Sequence, residues 1–182
     1  AVGLLNKPSD KVKLIFVPSY LNGADGIFNL SYYELLIGFD LSVFPSYYEP
    51  WGYTPLESLA FHIPTITTSL AGFGLWIREK RKQHEPGAWV IERNDINEEE
   101  VTRQISSIVL SFAGFSDKKV QEARANAFDI SRIALWDELA GKYLEAFSIA
   151  LYKVGKREEL FRDKRTPDLL MKKKKKSQQS PV

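Results

Sequence analysis

Apolar and polar positions follow two different rhythms along this chain. In its first half the apolar residues gather in short, partly β-branched runs: Val12–Val17 (VKLIFV), 41–45 (LSVFP), 64–68 (PTITT) and 88–92 (AWVIE). Runs of this length bounded by Pro, Gly and Asn predict strands. Between the first two, residues 18–29 (PSYLNGADGIFN) carry two glycines and two asparagines and predict a loop. Ser31 is positioned to cap a helix reaching about Phe39, and Pro55 to Phe61 predict another. Leu70 to Gly74, with Phe73 between two glycines, predicts a glycine loop, and the charged stretch Arg78 to Gln83 a surface segment.

The second half changes period. Val101, Ile105, Ile108 and Phe112 recur every three or four residues, the spacing of one helix face. Trp136, Leu139, Tyr143, Phe147 and Ala150 repeat it. Strand–helix units followed by helices predict an α/β fold, a parallel sheet flanked by helices with a helical C-terminal cap. From about Gly155 the chain becomes charged and loses the pattern. The expected division is therefore 1–154 as folded domain and 155–182 as a flexible tail.

Composition narrows the setting. The 182 residues are 44% hydrophobic and 13% aromatic, the make-up of a globular chain with one core. The formal net charge is only +2, and the run Lys172 to Lys176 accounts for more than all of it. A fold-wide nucleic-acid footprint is absent, and the lysine run reads as a solvated tail. There is no cysteine, hence no disulfide framework and no thiolate metal site. His62 and His84 have neither a helical i, i+4 spacing nor an accompanying carboxylate cluster, so no metal site is expected. No signal peptide or bilayer-length apolar run is present, and a reducing cytoplasm is the expected compartment. The chain opens on Ala1-Val2-Gly3 and reaches a strand without the glycine-rich turn that begins a doubly wound domain. It reads as a piece of a longer protein.

The chemistry concentrates in Phe44-Pro45-Ser46-Tyr47-Tyr48-Glu49-Pro50-Trp51-Gly52-Tyr53-Thr54-Pro55-Leu56-Glu57. A buried strand leads into a polar, aromatic turn, and the turn opens a helix. This order puts Glu49 and Glu57 at the carboxyl edge of a parallel sheet, where open α/β folds bind ligands. The backbone N–H groups of Gly52, Tyr53 and Thr54 lie at a helix start, which favours an anion such as a diphosphate. Glu57 has a structural alternative. Thr54-Pro55-Leu56-Glu57 matches a capping box, with Thr54 at N-cap and Glu57 reaching back to it. Glu49 has one as well, a plain surface carboxylate in a turn.

Three strings, VKLIFVPSYLNG, LSYYELLIGFDLSVFPSYYEPWGYTPLESL and IPTITTSLAGFG, resemble the animal and fungal type of glycogen synthase. The resemblance is strong over residues 3–75 and continues through the helices to about residue 150. It implies a retaining glycosyltransferase of two Rossmann-like domains (the GT-B type). Residues 1–154 would be part of its C-terminal, nucleotide-sugar-binding domain, with the acceptor-side N-terminal domain absent. It implies transfer of glucose, with UDP-glucose the favoured donor, to the non-reducing end of an α-1,4-glucan, with no metal or other cofactor. By the same resemblance Glu49 is the glutamate tied to catalysis and Glu57 contacts the ribose. Tyr53 and Thr54 then touch the phosphates, and Tyr20 and Tyr32 flank the base. Trp51 either packs against the site wall or faces a glucan. The arginine and lysine that offset the leaving diphosphate in that family have no counterpart in this chain. Its arginine-dense helix for glucose 6-phosphate matches residues 123–136, which hold only Arg124 and Arg132. A homo-oligomer remains open. Two other readings stand beside this one: a related retaining transferase with another donor or acceptor, and a non-catalytic module that binds a nucleotide sugar.

Overall fold

Three short parallel strands carry the architecture: β1 (Ser42–Val43), β2 (Thr65–Thr68) and β3 (Ala88–Ile91), in the spatial order β1-β2-β3. The structure, a computed structural model, describes residues 5–80 and 86–162, with side chains through Arg157. Ser42 lies in register with Thr65, and Thr65 with Ala88. The connections are helical, as parallel pairing requires. Helix α1 (Tyr32–Leu36) precedes β1, α2 (Tyr53–Ala60) joins β1 to β2, and α3 (Gly72–Lys80) joins β2 to β3. Helices α4 (Glu98–Ala113), α5 (Asp117–Arg132) and α6 (Trp136–Arg162) follow. The expected α/β class and parallel sheet are what the structure holds.

The central strand β2 is buried at all four positions, although three of them are threonines. On β3, Ala88 and Val90 face one core cluster, and Trp89 and Ile91 face the other, the two-residue period of a strand. The first cluster joins Leu59, Phe73 and Ile77 to Ala127 and Ile130 of α5. The second joins Ile66 and Ile91 to Val101 of α4, with Ile105 and Ile108 packed against it. The α4 face expected from spacing is thus the buried one. Burial of Leu59, Ile66 or Phe73 contributes about 1.5–3 kcal/mol each.

Several expectations are corrected. Val12–Val17 forms no strand. Val12, Leu14, Ile15 and Phe16 are exposed, because among the described residues no strand supplies a hydrogen-bonding partner. The helix capped by Ser31 stops at Leu36, not Phe39, and the strand expected over 41–45 is confined to Ser42–Val43. Glu34 Oε2 accepts from both the backbone N–H and the hydroxyl of Ser31, at 2.8 and 2.7 Å, so the capping itself stands.

Of the glycine loop expected at 70–74, residues 72–74 are instead the start of α3. A Cβ on Gly72 would lie 2.1 Å from the carbonyl oxygen of Pro50, and one on Gly74 would lie 2.2 Å from that of Thr68. These glycines let a helix end press against neighbouring backbone; they do not loosen the chain. Helix α6 runs past residue 155 to Arg162, so the first part of the expected tail is helical. The remainder, including Lys172–Lys176, lies outside the described residues, as does His84.

Contacts divide the chain between Ala134 and Leu135. The first unit holds the sheet with α1–α5. In the second, α6 carries Trp136, Tyr143 and Phe147 in a row, with successive ring centroids 5.5 and 6.3 Å apart.

Candidate functional site

The three strands deliver their carboxyl ends to one place. After β1 the chain forms the glutamate turn, after β2 it runs through Ser69–Ala71 into α3, and after β3 it reaches Arg93. The turn is fixed by backbone bonds to the segment after β2. Glu49 N–H donates to Leu70 O at 3.0 Å, and Gly72 N–H donates to Glu49 O at 3.0 Å. Phe73 N–H donates to Trp51 O at 2.6 Å. Glu49 and Ala71 therefore pair as an isolated parallel bridge, a short extension of the sheet beyond its strands.

Side chains add a second layer. Thr68 Oγ1 donates to Ser46 O at 2.7 Å, and Ser46 Oγ donates to Glu49 Oε2 at 3.1 Å. Glu49 is half-buried. It is a carboxylate with a defined place, not a free surface group. Gly52 follows at φ 104°, and a Cβ there would stand 3.4 Å from Glu49 Oε2. Its left-handed backbone is strained for any residue with a side chain.

Gly52 is also the N-cap of α2, and Tyr53 its first residue. That overturns the capping box at Thr54. The left-handed turn at Gly52 starts the helix before Thr54, which then has helical rather than N-cap geometry. Glu57 is turned to another partner: Tyr33 Oη donates to Glu57 Oε1 at 2.9 Å. Because Gly52 has no side chain, nothing from the N-cap residue satisfies the opening N–H groups of α2. Tyr53 is exposed and Thr54 half-buried at this end.

The aromatic residues separate. Tyr32 rests edge-on against Tyr33, 5.2 Å between centroids. Burial pushes the Tyr32 phenol above its ordinary value, the Glu57 and Tyr33 charges add to this, and the nearby Ser58 hydroxyl opposes it. Neither the Tyr32 nor the Ser58 hydroxyl completes a hydrogen bond of normal geometry among the described residues. The hydrogen bond to Glu57, then its charge, raises Tyr33 as well. Tyr20 is 92% exposed. Its backbone lies close to Tyr32, since Tyr32 N–H donates to Leu21 O at 3.0 Å, yet its ring joins no cluster among the described residues. Trp51 packs beside the first core cluster. Its ring packs on Phe73 at 5.4 Å and Trp76 at 5.9 Å.

Sequence reasoning missed four contributors: Ser46, Thr68, Tyr33 and Arg93. Ser46 and Thr68 lay inside strings already singled out, but a hydroxyl in a strand or turn has no distinctive spacing. Arg93 directly follows a predicted strand, and that position at a sheet's carboxyl edge is the one signal that marks it.

Among the described residues no group of three or more His, Cys, Asp and Glu side chains could hold a metal ion. His62 stacks on Phe128 at 4.2 Å with ring planes 10° apart, a packing role. No described helix is long and apolar enough to cross a membrane.

A family model described as glycogen synthase matches residues 1–181. The chain is 36% identical over 152 residues to a glycogen (starch) synthase of Caenorhabditis elegans, covering 83% of this chain and 23% of that protein. It is 35% identical over 153 residues to isoform 2 of Saccharomyces cerevisiae, covering 82% and 22%. It is 32% identical over 151 residues to the liver protein of Mus musculus, covering 82% and 21%. The chain thus spans less than a quarter of the length of these relatives.

Proposed function

The chain belongs to the glycogen synthase family, and on that premise we propose that it is the donor-binding segment of a retaining glucosyltransferase. The donor is a nucleotide diphosphate glucose, UDP-glucose by preference, and the acceptor the non-reducing end of an α-1,4-glucan. The observation that carries this reading is the placement of Glu49, locked by Leu70, Gly72 and Ser46 beside the uncapped start of α2.

Each group has a task. As the sugar–phosphate bond breaks, positive charge develops on the sugar, and a fixed carboxylate near the reacting carbon stabilises it. Glu49 supplies that charge. The opening N–H groups of α2, from Gly52 to Thr54, meet the diphosphate at the positive end of the helix dipole. Glu57 accepts from the ribose hydroxyls. A carboxylate has about four lone-pair sites, and Tyr33 takes one of them, so capacity remains. Tyr32 offers a face to the base, with Tyr20 closing on the other side. In this reading no metal takes part, the setting is cytoplasmic, and the glucan and the remaining cations come from an N-terminal domain. Assembly into a homo-oligomer is compatible with it.

The test is direct. A full-length protein carrying this segment is assayed for elongation of glycogen from UDP-glucose, and the new linkage is read by NMR. The expected product is α-configured, and the 182-residue chain by itself gives no turnover. Binding of UDP-glucose without any transfer by the full-length protein would overturn the catalytic reading in favour of a binding module.

A further inference from the structure

Arg93 is the one described arginine buried to 5% exposure. It lies two residues past the end of β3, at the carboxyl edge of the sheet. Burying a guanidinium is costly unless its donors and charge are matched. Among the described residues no carboxylate pairs with it, and its Nε has no hydrogen-bond partner. What it does contact is the glutamate turn. Nη1 donates to the carbonyl oxygen of Pro45 at 2.7 Å. The guanidinium carbon stands 3.5 Å from the ring centroid of Tyr47. Tyr47 is held in turn by its hydroxyl, which donates to Glu98 Oε1 at 3.1 Å. The backbone of Arg93 is pinned separately, its N–H donating to Ser69 Oγ at 2.9 Å. This side chain therefore reaches across the sheet edge from β3 to the segment leaving β1.

We propose that Arg93 is a positioning residue for Glu49. It holds Pro45 and Tyr47, the residues on either side of Ser46. Ser46 in turn is fixed at its carbonyl by Thr68 and donates its hydroxyl to Glu49 Oε2. The path from guanidinium to carboxylate is thus Arg93, the 45–47 backbone, Ser46 and Glu49. A planar fork with five donors can bond a carbonyl at its edge and stack on a ring by its face, which an ammonium cannot do together. The inference rests on the catalytic reading of Glu49. Small misplacements of a catalytic group are expensive, since about 1 Å can cost roughly a hundredfold in rate.

Arg93→Met and Arg93→Lys in the full-length protein provide the test. Two quantities are measured: amide hydrogen exchange over residues 45–52 against residues 117–132, and kcat with donor KM. In Arg93→Met, exchange over 45–52 rises while 117–132 is unchanged. At the same time kcat falls about tenfold or more, with KM changing less than about twofold, the signature of a lost transition-state interaction. Arg93→Lys, which keeps the cation but not the planar fork, falls between, and it carries the test should the Met variant not fold. Unchanged exchange over 45–52, or a lower melting temperature with kcat preserved, would overturn the proposal. A wild-type protein that transfers no glucose would sink the function proposed above, while the exchange data would still decide whether Arg93 holds the turn.

Discussion

The tripeptide Pro-Ser-Tyr occurs twice, at Pro18-Ser19-Tyr20 and at Pro45-Ser46-Tyr47, each time after a short apolar run. By local pattern the two are nearly interchangeable. In the structure they are opposites. The second has its proline carbonyl bonded by Arg93, its serine carbonyl by Thr68, and its tyrosine ring stacked on a guanidinium. The first follows residues that pair with no strand among the described residues, and Tyr20 stands 92% exposed. The difference is one of neighbours. The run before Pro45 has β2 beside it, while the run before Pro18 has none among the described residues. A short strand has no stability of its own, and its side chains become a site only when a partner ladder fixes the backbone beneath them.

The largest effect should come from the locked copy's carboxylate. Glu49→Gln in a full-length protein should lower kcat roughly 10²–10³-fold, the range for losing one preorganised electrostatic group, with little change in donor KM. An unaltered kcat would erase the functional half of the contrast. Next is backbone packing. Gly72→Ala should destabilise at or beyond the upper end of the about 1–3 kcal/mol typical of overpacking, because its Cβ would meet the Pro50 oxygen at 2.1 Å. Gly23→Ala, near the exposed copy, meets no atom within 4 Å and should cost only the strain of its φ of 87°, about 1 kcal/mol. Denaturant melts that ranked the two alike would break the comparison.

A smaller effect should appear in alkali. Tyr32 is raised, first by its burial and then by Glu57. Its neutral form is therefore favoured in the folded state. That contribution is complete below the unfolded phenol value of about 10 and is lost as pH rises through the higher folded value. Thermal melts from pH 8 to 11 should show this loss, and Tyr32→Phe should flatten it. The smallest expected effect is none. Arg124 Nη2 donates to Asp40 Oδ1 at 2.9 Å, tying α5 to the loop before β1. It is engaged in fold contacts, and Arg132 lies eight residues away, about 12 Å along a helix. Millimolar glucose 6-phosphate should leave the rate at subsaturating donor unchanged. A several-fold rise abolished by Arg124→Ala would show that this helix reads a phosphate after all.

Much of the molecule was legible from the chain alone. The β1–α2–β2–β3 order follows from local period and punctuation, and so does the inward face of α4 through Val101, Ile105, Ile108 and Phe112. The glutamate turn stood out because its strand, its glycine and its helix start are consecutive in sequence. What the tertiary structure alone decided lies where the partner is remote. Val12–Val17 has the composition of a strand but no ladder among the described residues. Thr54 looks like an N-cap, yet the left-handed backbone of Gly52 starts the helix before it. Gly72 and Gly74 read as a loop until the closeness of Pro50 and Thr68 makes them the opening of a helix. Arg93 and Pro45 are 48 residues apart. No window of sequence weighs a bond of that span, because its geometry exists only once the sheet has brought two strand ends together.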